Sequence, residues 1–232
     1  MARLSRLAVA GQPHLVVLRG LPDRPLCLDD EDRRRYLAAL RDAASQQRAA
    51  VHAHVLTDEQ ALMLVTPERG DGLSRLVQEL GRRYVAGFNR RHGRSGALWD
   101  GRFRATIVQP GSITLEAMLF VDLHPVRVGL AATAADYAWS SARHHLGQVR
   151  DPVVTDNAVY WQLGNTPFDR ELSYRRCLEE GLAAQRVLQF AEASRKGWAL
   201  GDAAFLTQLA EHAGRPVQPR PRGRPPKRQP QA

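Results

Sequence analysis

Two histidines, His52 and His54, flank Ala53 in the apolar stretch VHAHVL. Side chains two positions apart on a β-strand project from the same face, so the two imidazole rings would lie side by side. Imidazole is a common ligand of divalent metal ions. Together with the side chains of Glu59 and His124, the pair would form a metal site. A pair of structural histidines on a strand is the more common arrangement, and the spacing alone permits both interpretations.

The other reactive residues form no known catalytic motif. The sequence contains no phosphate-binding glycine-rich loop with its lysine, no Gly-x-Ser-x-Gly and no Cys-x-x-Cys. Its two cysteines, Cys27 and Cys177, are far apart, which argues against a disulfide scaffold or a cysteine-rich zinc site. Tyr84 is a candidate nucleophile, but it shares a helical stripe with Leu76 and Leu80, and this spacing predicts a core position.

The C-terminal residues 215–232 contain six basic residues and no Asp or Glu, in a chain whose formal net charge is +9. A concentrated basic segment indicates a polyanionic partner, most often nucleic acid. Within it, Arg222, Gly223 and Arg224 resemble an AT-hook, which would bind the minor groove of A·T-rich duplex DNA. A general phosphate-binding tail and a solubilising tail are the alternatives. The basic residues are Arg215, Arg220, Arg222, Arg224, Lys227 and Arg228.

Hydrophobic periodicity in residues 1–150 predicts strand, helix, hairpin, helix, strand and helix, in that order. This order indicates an α+β fold, with a ferredoxin-like antiparallel sheet and helices on one face. Residues 151–214 are predicted to form a helical extension. Residues 215–232 are rich in Pro and Arg and are expected to form a disordered tail.

The expected location is the cytoplasm, in association with the nucleoid and without a membrane partner. No apolar run approaches the roughly 20 residues that a bilayer-spanning helix needs. The N-terminal stretch MARLSRLAVAGQPHLVVL is interrupted by Gly11, Gln12 and Pro13 and lacks the layout of a signal peptide.

Several segments, in order, resemble the REP-associated tyrosine transposases, which are relatives of the small single-tyrosine HUH transposases of bacterial insertion sequences. The segments are LDDEDRRRYLAALR, VHAHVL, YVAGFNRRHGRSGALWDGRFRATIV, HPVRVGLA, WSSARHHLG, GNTPFDREL and KGWALGDAAFLTQL. They cover nearly the whole chain, and FNRRHGRSGALWDGRF is quite specific by itself. The resemblance implies a transposase fold. It also implies an activity in which two histidines hold a divalent metal at the scissile phosphate and a tyrosine attacks the phosphorus.

The residues that carry this activity in the family are replaced here. The resemblance aligns the two histidines with Gln60 and Leu62, the tyrosine with Phe120, and a polar residue one helical turn later with His124. Leucine has no lone pair to give a metal, glutamine is a weak ligand, and phenylalanine has no hydroxyl. We therefore expect a degenerate cleavage centre and no bound cofactor. Mg²⁺ or Mn²⁺ would be required only if an active site survives.

The sequence thus predicts a DNA-binding protein of transposase type that recognises hairpin or repeat single-stranded DNA. The resemblance places a second DNA contact near the end of a helix. The residues of this contact are Arg82, Arg83, Arg90, Arg91 and Arg94. The alternative is that these arginines belong to a solvated helix face. Two other functions remain open. One is an active nicking enzyme with a metal site relocated to His52 and His54, and the other is a regulator that acts through protein contacts. The oligomeric state is left open.

Overall fold

The computed structural model describes residues 7–22 and 24–219. Four strands form one antiparallel sheet in the order β2-β3-β1-β4, which is the order of a ferredoxin-like fold. The strands are β1 (His14–Arg19), β2 (Ala49–Leu56), β3 (Gln60–Pro67) and β4 (Arg104–Ile107). The helices are α1 (Asp30–Gln47), α2 (Gly72–Arg91), α3 (Ser112–Asp122), α4 (His124–Arg127), α5 (Ala142–His145), α6 (Ala158–Trp161), α7 (Pro167–Glu180), α8 (Ala184–Lys196) and α9 (Ala203–His212).

One face of the sheet packs against α1 and α2. The N-cap residue of α1 is Asp29, whose side chain accepts a hydrogen bond from the Asp32 backbone N–H and so caps the first turn. The side chains of Tyr36 and Tyr84 meet edge to face between the two helices, with ring centroids 5.2 Å apart. They close a core with alternate strand residues such as Val16 and Met63. This is the helix-covered face that the sequence predicts, and the prediction is confirmed.

The opposite face of the sheet is also covered by helices. The intervening strand residues are apolar as well, so the sheet must bury both faces. Leu15, Val17 and Leu64 pack against α3 and the helices that follow residue 150. The extension is helical as predicted, in α6 to α9, and it contributes Tyr160, Tyr174 and Phe190 to this second core.

The predicted tail requires a correction at its start. Val217 is only 3% exposed, and its carbonyl accepts a hydrogen bond of 2.8 Å from the Ala199 backbone N–H. The Arg215 guanidinium lies over the Trp198 ring. Val217 completes an apolar cluster with Ile107 and its neighbours. Residues 215–217 therefore pack against the folded body and are not part of a disordered tail. Residues 220–232 lie outside the described residues. In the part of the chain that the structure describes, no helix is long and apolar enough to cross a membrane.

Candidate functional site

The histidine pair lies on β2, at the edge of the sheet, and each ring binds its own partners. His52 Nδ1 donates to the Thr155 carbonyl at 2.7 Å, and its Nε2 is 2.8 Å from the Thr66 hydroxyl. Burial lowers the pKa of His52, which favours the neutral ring that this arrangement requires. His54 Nε2 is 2.7 Å from Asp151 Oδ2. The two rings therefore share no partner.

A β-bulge separates the two histidines. The pairing steps from Val51 opposite Val65 to Ala53 opposite Leu64, which leaves His52 as the extra residue on β2. The bulge interrupts the regular alternation on which the prediction of adjacent rings depended. The sequence carries no clear signal for it, because VHAHVL fits an uninterrupted strand equally well.

The histidines attach residues 151–155 to the edge strand. The Thr155 backbone N–H donates to the Val51 carbonyl at 2.7 Å, so this segment covers the strand edge that β2 would otherwise expose. The four candidate metal ligands His52, His54, Glu59 and His124 do not form one cluster. Across residues 7–22 and 24–219, no group of three or more His, Cys, Asp or Glu could hold a metal ion.

Two of the positions that the resemblance aligns with a cleavage centre, Gln60 and His124, are in contact. Gln60 begins β3, and its Nε2 donates to Nε2 of His124 at 2.9 Å. Burial, followed by the positive charge of Arg127, lowers the pKa of His124 to about 4, so the ring is a neutral acceptor at pH 7. Leu62, two residues along β3 from Gln60, is buried in the core against α3. Gln60 and His124 thus form a polar pair beside the buried apolar side chain of Leu62.

Phe120 lies between two other side chains. Its ring stacks on Phe190 of α8, with centroids 5.1 Å apart and planes at 24°, and the Arg127 guanidinium is 4.1 Å from the ring centroid. Arg127 Nη2 also donates to the Phe120 carbonyl. Phe120 is consequently only 5% exposed. The position that would carry the nucleophile is closed off by the C-terminal extension.

A cavity of about 450 Å³ opens beside Gln60 and His124. Three carboxylates line it, from Asp30, Asp58 and Glu59, and Arg33 contributes one guanidinium. Arg33 is bound to Asp30 at 3.0 Å and to Asp58 at 2.5 Å. The cavity is therefore net acidic, and a DNA phosphate would be repelled there.

A buried polar network that the sequence did not predict surrounds Asp122. Its carboxylate receives the Ser141 hydroxyl at 2.5 Å, the Tyr174 hydroxyl at 2.8 Å and His145 Nδ1 at 2.8 Å. His145 Nε2 is 3.0 Å from the His52 carbonyl. Both ring nitrogens thus face oxygen atoms, so His145 links the Asp122 carboxyl group to the backbone of β2. The signal was present in WSSARHHLG, which contributes Ser141 and His145, and in the carboxyl group of Asp122 directly after the apolar run of α3.

Tyr84 occupies a core position, as its helical stripe predicts. Its hydroxyl donates to the Leu26 carbonyl at 2.6 Å and lies 3.4 Å from the Cys27 sulfur. Burial raises the pKa of Tyr84 far above its ordinary value. A buried phenol that stays protonated is a poor nucleophile.

Most of the predicted arginine contacts on α2 already have partners within the chain. Glu79 binds Arg82 at 2.5 Å and Arg83 at 2.7 Å. Arg91 binds Asp29 and the fully buried Asp32. The other two predicted contacts are less occupied.

Arg94 lies over the Phe88 ring at 5.3 Å, and Arg90 is exposed without an ion pair among the described residues. The positive charge available on this helix is therefore smaller than the sequence suggests. The tail contacts lie outside the described residues; they are Arg220, Arg222, Gly223, Arg224, Lys227 and Arg228.

Comparison with known proteins identifies the fold. No protein-family model matches the sequence, and no curated protein matches it significantly. A solved REP-associated tyrosine transposase bound to a REP hairpin superimposes with a TM-score of 0.55 at 16% identity, covering 68% of this chain and 93% of that chain. A presumed transposase from Deinococcus radiodurans gives a TM-score of 0.37 at 19% identity, covering 47% and 88% of the two chains. The first likeness confirms the predicted resemblance at the level of the fold; the second is too weak to support an argument.

Proposed function

We propose that this protein binds DNA through a transposase fold, recognises hairpin or repeat single-stranded DNA, and does not cut it. One observation carries the proposal. Gln60 and His124 meet beside the buried side chains of Leu62 and Phe120, so the place aligned with a cleavage centre holds no nucleophile and no set of metal ligands. Its fold is that of a protein solved with a REP hairpin, which makes hairpin DNA the partner to test first.

The donor atoms at this place do not fit a divalent metal. Leu62 offers no lone pair, and the lone pair of His124 Nε2 accepts from Gln60. The catalytic ions of phosphoryl transfer prefer carboxylate, carbonyl and water oxygens. The carboxylates of the adjoining cavity belong to its rim, where Asp58 is 58% exposed and paired with Arg33. No step of the proposed function therefore uses a metal.

Affinity for DNA is assigned to arginines rather than to the cleavage centre. Arg90 is exposed at the end of α2, Arg94 is held over Phe88, and the tail residues after Pro219 carry five further positive charges. Phosphate contacts of this kind supply affinity without sequence readout. The Arg222-Gly223-Arg224 element would add a preference for A·T-rich duplex.

The two alternatives have less support. A relocated metal site would need both rings on one ion, but both nitrogens of His52 are bound, to Thr155 and Thr66, and His54 Nε2 is bound to Asp151. Among the described residues only His54 Nδ1 of this pair has no hydrogen-bond partner, and a single nitrogen does not form a metal site. A regulator that acts through protein contacts would show no DNA affinity when purified alone. No observation in the described residues favours it over DNA binding.

A cleavage assay tests the central claim. The purified full-length protein is incubated with hairpin-bearing single-stranded DNA and Mg²⁺ or Mn²⁺, and covalent adducts are sought by denaturing electrophoresis and mass spectrometry. We expect binding by fluorescence anisotropy and no adduct, because Phe120 has no hydroxyl. A tyrosine-linked adduct, at Tyr84 or elsewhere, would contradict the inactive centre. Absence of binding to any DNA would overturn the proposed function itself.

A further inference from the structure

A separate concave surface lies along α1. We call it the α1 groove, and its volume is about 320 Å³. Its two walls are α1 and the segment that follows α5. Three arginines form its rim, Arg34, Arg41 and Arg150, above an apolar floor that includes Leu37, Val149 and Pro152.

The spacing on α1 places its groove residues on one face of the helix. Arg34, Leu37 and Arg41 are separated by three and four positions, so they form a single row. With a rise of 1.5 Å per residue, the two arginines are about 10 Å apart along the helix axis. The apolar floor lies between two guanidinium groups.

The rim arginines are available to a ligand. The side chains of Arg34 and Arg41 are 60% and 50% exposed, and their partners, Glu31 at 3.5 Å and Asp42 at 2.9 Å, are themselves exposed. Such surface pairs contribute little to stability, so a phosphate can replace either carboxylate at small cost. Arg150 is exposed and forms no ion pair within the described residues.

The acidic residue of the lining, Asp151, is directed away from a ligand. Its side chain is 15% exposed, and its two oxygens bind His54 Nε2 at 2.7 Å and the Val153 backbone N–H at 2.8 Å. Burial opposes ionisation of Asp151, but the His54 hydrogen bond and charge outweigh it and lower its pKa. The lining therefore contains three guanidinium groups and one carboxylate and is net basic, in contrast to the net acidic cavity beside Gln60.

The second wall is held in place by the histidine pair. His54 fixes Asp151 and His52 fixes Thr155, so the loop carrying Val149, Arg150 and Pro152 is anchored to the sheet on its C-terminal side. The pair thus has a use that does not involve metal. It holds a preformed wall, which reduces the entropy lost when a ligand binds.

We propose that the α1 groove binds a segment of single-stranded DNA, with Arg34, Arg41 and Arg150 on its phosphates and the apolar floor against a base or sugar. The proposal rests on the proposed function and identifies a surface that serves it. Arginine forms bidentate, charge-assisted hydrogen bonds with phosphate, and an apolar strip between charges suits the alternation of phosphate and nucleoside along a strand.

The test compares two triple variants with the wild-type full chain. The groove variant carries Arg34→Gln, Arg41→Gln and Arg150→Gln. The control carries Arg35→Gln, Arg69→Gln and Arg75→Gln, which remove the same charge from exposed arginines that also form surface ion pairs. Affinity for a hairpin with a single-stranded overhang is measured by anisotropy at several salt concentrations, after circular dichroism melting confirms folding.

We expect the groove variant to bind at least about tenfold more weakly. The slope of log affinity against log salt should shrink by about 2, because each single-strand phosphate contact contributes about 0.7. Equal losses in both variants would show a general charge effect and overturn the proposal. If both variants bind like wild type, the groove is rejected while DNA binding by the protein stands. If the wild type binds no DNA, the proposed function fails and the groove proposal fails with it.

A second variant keeps every arginine. Val149→Glu places a carboxylate at a residue that is 49% exposed on the groove floor, so the fold should tolerate it. We expect weaker DNA binding by repulsion of phosphate, and retained affinity would count against the groove. An overhang carrying 5-iodouracil should in addition cross-link to peptides that contain residues 34–41 or 149–153. Cross-links confined to α2 would place the strand elsewhere.

Discussion

At the scale of single residues, the side chains of Gln60, Leu62 and Phe120 lack the chemistry that metal binding and nucleophilic attack require. The sequence predicts this from the residue types alone, and the cleavage assay tests it. The sequence could not predict that His54 pairs with Asp151 or that His145 pairs with Asp122, because those partners are 97 and 23 positions apart. Pairings over such distances depend on packing of the whole chain, which one sequence does not reveal.

The Asp122–His145 pair leads to a prediction about stability. Both side chains are fully buried, so removal of the carboxyl group would leave the His145 ring and the Ser141 and Tyr174 hydroxyls without this acceptor. Each buried polar group left unsatisfied costs about 1 to 3 kcal/mol, so the loss for this network is about 3 to 5 kcal/mol. We expect Asp122→Ala to lower the free energy of unfolding in urea by about that amount.

The matched control for this stability measurement is Asp42→Ala, which breaks only exposed pairs, with Arg41 and Arg83, and should cost less than about 1 kcal/mol. Similar losses of unfolding free energy in the two variants would show that the network around Asp122 stabilises the fold no more than an exposed ion pair does. Near-UV circular dichroism of both proteins would verify that the native packing is retained in the state being unfolded.

At the scale of elements, hydrophobic periodicity predicted the order of strands and helices. It predicted the placement of the helices on the two faces of the sheet only in part. Apolar residues on both sides of β1 and β3 indicated a sheet buried on both faces, a pattern that the prediction of helices on one face did not use. The contact between Phe120 and Phe190 joins two helices 70 positions apart. It shows that α8 completes the core against α3.

Two buried histidines, each the first residue of a strand or helix, make the stability of the fold depend on pH. His14 begins β1 and His124 begins α4, and burial lowers the pKa of each to about 4. Both would titrate near 6.5 in the unfolded chain, so between pH 6.5 and 4 the unfolded state binds more protons. The free energy of unfolding should therefore fall between pH 7 and 5, by about 1 to 2 kcal/mol per histidine.

Urea unfolding at pH 7 and pH 5 measures this dependence. His124→Gln cannot gain the proton and should remove its own share of the fall, about 1 to 2 kcal/mol. His212→Gln changes an exposed histidine and should leave the fall intact. An identical dependence in wild type and both variants would assign the fall to other groups, such as His52, whose pKa burial also lowers. The carboxylates of Asp29 and Asp32 are not among these groups, because their lowered pKa values confine their loss of stabilisation to below about pH 4.

At the scale of the whole molecule, charge is distributed unevenly. The carboxylates of Glu79, Asp29 and Asp32 offset much of the arginine charge on α2, whereas residues 220–232 contain five basic residues and no acidic ones. Composition located this concentration correctly. It could not show that the chain remains packed as far as Val217, because a single apolar residue between prolines carries no periodicity.

The position of Val217 determines how the tail must be tested. Deletion of residues 220–232 leaves the cluster around Val217 intact, so the melting temperature should barely change while DNA affinity falls. If about four of the five charges contact duplex phosphates, the slope of log affinity against log salt should shrink by about 3 to 4.

A tail with the same composition in scrambled order is the matched control. If Arg222 and Arg224 act as a minor-groove hook, the scrambled tail should keep the salt slope but lose the preference for A·T-rich over G·C-rich duplex. Equal preference in the wild-type and scrambled proteins would leave the tail as a general phosphate binder, and unchanged affinity after deletion would assign DNA binding to the folded body alone.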